Sequence, residues 1–370
     1  MIRFQVSKPV LAGRESEFVL DALRSGWISS TGPYVDRFEK TFAEKIKVDE
    51  CISVCNGTAA LHLACLAMQL KPGDEVIVPS LTYVATANVV TYCGATPVLA
   101  DSDLITWNLT AASVAAAITP KTVGVIAVHL YGFPCPMPEI SALCKERGLW
   151  LIEDCAESIG ASIRGEPTGS FGDAAAFSFY GNKTISTGEG GMLVVRDPRN
   201  RVLARTLRGQ GMDPNVRYWH PIIGYNYRMT NVAAAIGCGQ LEQYDLHLGE
   251  RRRIASTYVR CLQSLEGADI ALPPRMNEFE SSSWLFSLVL KRGGASRRQA
   301  IMEHLEREAG IETRPFFVPM HRLPMYCGDW QLPNADFLGD HGMNLPTYTG
   351  LADNDVEEIS AAICDAVRRI

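Results

Sequence analysis

The sequence predicts an α/β fold, with a large, mostly parallel sheet domain followed by a smaller C-terminal α/β domain. Three observations predict it. From about residue 50 to 195, short continuously apolar runs alternate with helical segments. Such runs, separated by helices, belong to a mostly parallel sheet covered on both faces. After about residue 240 the texture changes, which divides the chain into 1–240, carrying an N-terminal segment, and 241–370. Finally, 370 residues suffice for one large domain and one smaller one.

The elements follow in order. Ile52-Ser53-Val54 reads as a strand running into Asn56-Gly57-Thr58. Pro72-Gly73-Asp74 is a turn signal ahead of the strand Glu75–Pro79. Val123 to Leu130 is rich in branched residues and reads as a buried strand. Pro138 opens a helix that Gly148 ends. Leu149-Trp150-Leu151-Ile152 is the next strand, closing on Glu153-Asp154, and Ala174–Phe179 and Met192–Val195 are two more. In the C-terminal part, Arg251-Arg252-Arg253 reads as the solvated face of a helix that Tyr258–Leu265 continues. Trp284, Phe286 and Leu288 alternate as in a strand. Ser296 with Gln299 has capping-box spacing, and Ile301, Leu305 and Ala309 line one helix face before Gly310. Val356, Ile359, Ile363 and Val367 form the stripe of a terminal helix.

Composition limits the function. Net charge is −6 and the pI about 5.7, which argues against a nucleic acid or an anionic membrane as the main partner. The eleven cysteines are odd in number and scattered, with no Cys-x-x-Cys pair and no zinc spacing. That usage fits a reduced cytoplasmic protein without a structural metal, and Cys51 and Cys55 read as core residues. Met1-Ile2-Arg3-Phe4-Gln5 carries no apolar signal core, and no apolar run is long enough to span a bilayer.

The chemistry concentrates on a few residues. Lys183 lies on a loop after an apolar strand, about thirty residues beyond Glu153-Asp154. Pyridoxal 5'-phosphate (PLP) needs an amine to hold its aldehyde as a Schiff base and an acid to keep its ring nitrogen protonated. Lys183 and Asp154 fit those needs. A surface lysine is the bland alternative. A Walker lysine is excluded, because Asn182 rather than glycine precedes Lys183. Asp154 stands at the carboxyl end of a strand, where open α/β sheets bind ligands, with a helix N-cap as the alternative. Gly57 and Thr58 open a helix and suit a phosphate. Tyr83 follows the next strand end and could stack on a cofactor ring or be half-buried core. Ser178 offers one further hydroxyl to a phosphate.

Four motifs in order, Asn56-Gly57-Thr58-Ala59-Ala60-Leu61, Glu153-Asp154-Cys155-Ala156-Glu157, Ser178-Phe179-Tyr180-Gly181-Asn182-Lys183 and Gly224-Tyr225-Asn226-Tyr227-Arg228-Met229, resemble the DegT/DnrJ/EryC1/StrS family of sugar aminotransferases. The likeness runs from Gly26-Trp27-Ile28-Ser29 to Asn344-Leu345-Pro346. It implies the fold-type-I aminotransferase architecture and PLP as cofactor, with the pyridoxamine form during turnover. It implies Lys183 as the Schiff-base lysine, Asp154 as the pyridinium partner, Tyr83 on the ring face and Glu157 near O3'. Gly57, Thr58 and Ser178 match phosphate contacts. Asn226 matches a residue that reaches the phosphate of a neighbouring subunit, so the resemblance implies a homodimer with shared sites. Trp27, Ser29, His220, Arg228, Arg314 and His321 fall on the implied substrate side. The implied reaction moves an amino group from L-glutamate to C4 of a nucleotide-linked 4-keto-6-deoxy sugar. Two alternatives stay open. One is a dTDP- or UDP-linked keto sugar aminated at C3 or C4. The other is a regulator that binds PLP or sugar without turnover.

Overall fold

The computed structural model describes residues 1–370. Helices α1 (Glu15–Ser25) and α2 (Pro33–Lys45) precede the sheet. The large sheet then takes β1 (Ile52–Val54), β2 (Glu75–Pro79), β3 (Thr96–Ala100), β4 (Thr122–Val128) and β5 (Trp150–Asp154). Between them come α3 (Gly57–Ala67), α4 (Ala85–Tyr92), α5 (Ala111–Ala117) and α6 (Met137–Arg147). Two short strands, β6 (Ser162–Ile163) and β7 (Glu166–Pro167), lead to β8 (Ala174–Ser178) and β9 (Gly191–Val195). The seven-stranded order is β1-β9-β8-β5-β4-β2-β3, parallel throughout except for β9, which runs against both neighbours.

Both faces of this sheet are apolar. Val76, Ile126, Ile152, Ala176 and Leu193 pack with α3 and α4, while Ile77, Val125 and Leu151 pack toward α5 and α6. Phe177, Met192 and Val194 face α2 and α8 (Asn231–Glu242), beyond α7 (Pro198–Arg208). Apolar residues on both sides of each strand leave no period-2 polar face, which is why the strands read as continuous runs. Gly124 of β4 lies beneath the Trp150 indole, where a Cβ would come within 2.1 Å of the ring.

The C-terminal part begins with the long helix α9 (Tyr244–Leu262). Its four-stranded antiparallel sheet has the order β10 (Ile270–Ala271), β12 (Phe286–Leu290), β14 (Gly342–Leu345), β13 (Arg314–Pro315). Helices α10 (Gly294–Ala309), α11 (Pro333–His341) and α12 (Asp353–Arg369) flank it. Val356, Ile359, Ile363 and Val367 of α12 are all buried in its core. Strand β11 (Phe279–Glu280) pairs instead with β6, in a separate three-stranded sheet of order β11-β6-β7. No helix is long and apolar enough to cross a membrane.

Several readings are corrected. Arg251 is not on a solvated face but 2% exposed, because α9 turns that side inward against the large sheet domain. The capping box does not form: α10 starts at Gly294 with Gly293 as N-cap, and Gln299 donates to Glu303 instead. Two consecutive positive-φ glycines, Gly293 and Gly294, set the start of the helix ahead of Ser296. β4 stops at Val128, because the chain turns sharply at Tyr131, which has φ 52°. The Phe286/Leu288 alternation does mark a strand, β12, which is buried on both sides.

Candidate active site

Five parallel strands deliver their carboxyl ends to one cavity of about 530 Å³. This is the edge where open α/β sheets hold ligands. The loop after β1 brings Asn56, Gly57 and Thr58. Asn56 is the N-cap of α3, its side-chain oxygen accepting from Ala59 N at 2.8 Å. That cap leaves the first N–H groups of α3 aimed into the cavity, where an anion is favoured. Gly57 packs against β8 so closely that a Cβ would lie 2.9 Å from Ser178 Cβ. The cap and the anion-favouring end of α3 are therefore the same turn.

Asp154 ends β5 and is 5% exposed. Its carboxylate accepts from Thr86 Oγ1 at 2.8 Å and from Ala156 N at 3.1 Å. No helix begins there, so the N-cap alternative fails. Burial raises its pKa, with the two hydrogen bonds and Lys183 opposing. Its neighbour Glu153 has a different task. It accepts from Gly169, Phe171 and Gly172 N–H groups and pairs with His129 Nε2 at 3.1 Å. His129 Nδ1 accepts from Cys135 N, so both ring nitrogens are spent.

Lys183 Nζ stands 3.8 Å from the centroid of the Trp284 ring and 3.9 Å from Glu157 Oε1. Burial lowers the Lys183 pKa and pushes Glu157 up to about 7, each shift partly offset by the other residue. Glu157 is held by Tyr131 N, 2.7 Å from its second oxygen. The loop of Lys183 is fastened by Trp284 Nε1 and Ser7 Oγ, both donating to Asn182 O. Tyr83 lines the cavity yet is 59% exposed, so it is not half-buried core. Its ring stands 5.8 Å from Phe317, and Phe317 stacks on Tyr131 at 5.4 Å.

The structure brings Gly57, Thr58, Tyr83, Asp154, Glu157, Ser178, Lys183 and Arg314 to one wall system. It does not bring Trp27, Ser29, His220, Asn226, Arg228 or His321 there. His321 is occupied by Ser80 and Asp336. Of the others, Arg228 bridges Val54 of β1, His220 Nδ1 contacts Gln210 O, and Ser29 O accepts from Asn231 N. Asn231 Nδ2 donates to Trp27 O, Cys55 N to Tyr227 O, and Gly209 bridges Asn226. Tyr131, Trp284, Phe317 and Asn344 also line the cavity and were missed. Trp284 and Tyr131 carried a signal: a bulky aromatic beside Ser281-Ser282-Ser283 and another before Gly132.

A buried acid, an amine of lowered basicity and a helix N-terminus thus bound one cavity, the donor set that PLP requires. The DegT/DnrJ/EryC1/StrS aminotransferase family matches residues 9–364. The chain belongs to this family. A GDP-perosamine synthase of Caulobacter vibrioides is 47% identical over 363 residues, covering 98% of this chain and 97% of that one. The aminotransferase TlmJ of Streptoalloteichus hindustanus superposes with a TM-score of 0.93 at 32% identity, covering 99% of both chains. A Streptococcus pneumoniae protein solved in a PLP form gives 0.92 at 28% identity, covering 100% of this chain and 99% of that one. As a DegT/DnrJ/EryC1/StrS member the chain is a PLP-dependent aminotransferase.

Proposed function

We propose that this chain moves an amino group from L-glutamate to C4 of GDP-4-keto-6-deoxy-D-mannose, giving GDP-perosamine. The observation that carries this reading is the meeting of Lys183, Asp154 and the α3 N-terminus in one cavity, in a chain so similar to a GDP-perosamine synthase. When bound, PLP supplies an electron sink and carries the amino group between donor and acceptor. Lys183 would hold the cofactor through Nζ, and its free amine would take the donor's Cα proton. Burial lowers the basicity of the amine, the direction a base requires. Asp154 would pair with the cofactor's ring nitrogen and keep it protonated. The N–H groups of Gly57 and Thr58, with the Thr58 and Ser178 hydroxyls, would hold the phosphate, Tyr83 would supply a ring face for the cofactor, and Glu157 would sit near its O3'. Arg314 holds an anionic substrate group.

The chain works as a homodimer in this reading, with Asn226 of the partner subunit closing each phosphate site. Trp27, Ser29, His220 and Arg228 then reach substrate across the interface, and His321 acts from the substrate side. The enzyme is cytoplasmic, where nucleotide sugars are made.

The test is to incubate the protein with PLP, L-glutamate and GDP-4-keto-6-deoxy-D-mannose and to weigh the products. A sugar with one amine in place of one ketone is expected, and Lys183→Ala should make none. No product from protein that carries PLP would move the acceptor to a dTDP- or UDP-linked keto sugar. Failure of L-glutamate to convert bound PLP to the pyridoxamine form would favour a regulator.

A further inference from the structure

Arg251 is the one site-adjacent cation without an acid. It projects from the middle of α9 and is 2% exposed. Nothing but burial shifts its pKa, which falls to about 10; no carboxylate compensates. Burying a guanidinium without a counter-ion is costly, so its hydrogen bonds must hold it in place. All of them go to backbone carbonyls. Nη1 donates to Trp284 O and to Thr347 O at 2.8 Å, and Nη2 reaches Lys183 O at 3.5 Å. One planar fork therefore joins the loop of Lys183 to the residue whose indole lies under Lys183 Nζ.

We propose that Arg251 is a positioning residue for Lys183: it clamps the lysine's own carbonyl and that of Trp284, fixing Nζ over the indole and opposite Glu157. The inference rests on the reading of Lys183 as the amine that carries the cofactor. The clamp also acts through its charge. The charged groups that bear on Lys183 are Glu157 and Asp154, which hold its proton on, and Arg251, which drives it off. Trp284, from the loop before β12, adds a ring face that favours the cation. Arg251 is thus the only group on this list, apart from burial itself, that keeps the amine basicity down.

The experiment compares PLP-loaded wild type with Arg251→Met, which keeps much of the volume, and Arg251→Lys, which keeps the charge but not the fork. The readouts are the pH midpoint of the visible absorbance of the lysine-bound cofactor, kcat, and KM for L-glutamate. In Arg251→Met the midpoint should rise by about one pH unit as the repelling charge is lost. Its kcat should fall by about tenfold or more with KM held within about threefold, because the lysine, not the donor site, is displaced. Arg251→Lys should keep the midpoint and still lose kcat. Either readout left at its wild-type value in folded Arg251→Met overturns the proposal. Should that variant not fold, an unreduced kcat in Arg251→Lys overturns it. Absence of the visible band in wild type would instead remove Lys183 from its assigned role.

Discussion

Glu157 and Lys183 show how burial sets chemistry at the scale of single residues. Their charged atoms are 3.9 Å apart and both side chains are almost out of water. Burial raises Glu157 to about 7, and the ammonium of Lys183 only partly resists this. Unfolding returns the carboxyl to its ordinary range. A raised folded pKa means that the folded state binds the proton more tightly. The stability it contributes is therefore complete below the unfolded value and lost as pH rises through about 7. The cofactor-free protein should melt at lower temperature at about pH 8 than at about pH 5, and Glu157→Gln should flatten that slope. An unchanged slope in the variant would show that other groups cause it. That Lys183 and Asp154 belong to one cavity was legible from Asp154 at a strand end and Lys183 on a later loop about thirty residues on. The environment that tunes them was not, because Trp284 arrives from about a hundred residues away.

At the scale of elements, Asn231 decides more than its place as the first residue of α8 suggests. It is fully buried, and its Oδ1 accepts from Tyr34 N at 3.0 Å and Val35 N at 3.3 Å, satisfying the start of α2. Its Nδ2 donates to Trp27 O at 2.7 Å, and its own N–H to Ser29 O at 2.5 Å. One amide thus joins two helix N-termini and the turn that carries Trp27 and Ser29. Asn231→Ala removes three hydrogen bonds, leaves Tyr34 N and Trp27 O without this partner while Val35 N keeps Gly32 O, and should cost about 2–4 kcal/mol in chemical denaturation. A loss under about 1 kcal/mol would show that water replaces the amide. Elements with a strong local signature were read well: α6 does end at Gly148, in the left-handed region, and α10 at Gly310. The start of α10 was misread because Ser296 and Gln299 have the right spacing in a place where the chain has already turned.

For the whole molecule, the distribution of exposed apolar side chains matters. Trp27 is 53% exposed, Tyr218 74%, Trp219 61% and Ile223 92%, on the segments that also carry Ser29, His220, Asn226 and Arg228. Large apolar groups left in water beside residues absent from the cavity of their own chain are what a shared interface requires. Mixing inactive Lys183→Ala with an inactive Asn226→Ala protein, under conditions of subunit exchange, should restore activity. With random pairing about half of the dimers are hybrids with one intact site, so about a quarter of wild-type activity is expected. No recovery, with exchange shown by mass, would place Asn226 in its own chain's site.

The sequence by itself determined the alternation of buried strands and helices, an amine and an acid that meet in one cavity, and the family. Each of these is local: continuous apolar runs mark parallel strands, and the residue that follows such a run lies at the ligand edge of the sheet. Only the tertiary structure decided that Arg251 is buried against the Lys183 loop, that Trp284 lies under the amine, and that six of the implied site residues stand outside the cavity. Those outcomes depend on how α9 and the loop before β12 dock onto the large sheet, a long-range packing event that no local pattern of side chains encodes.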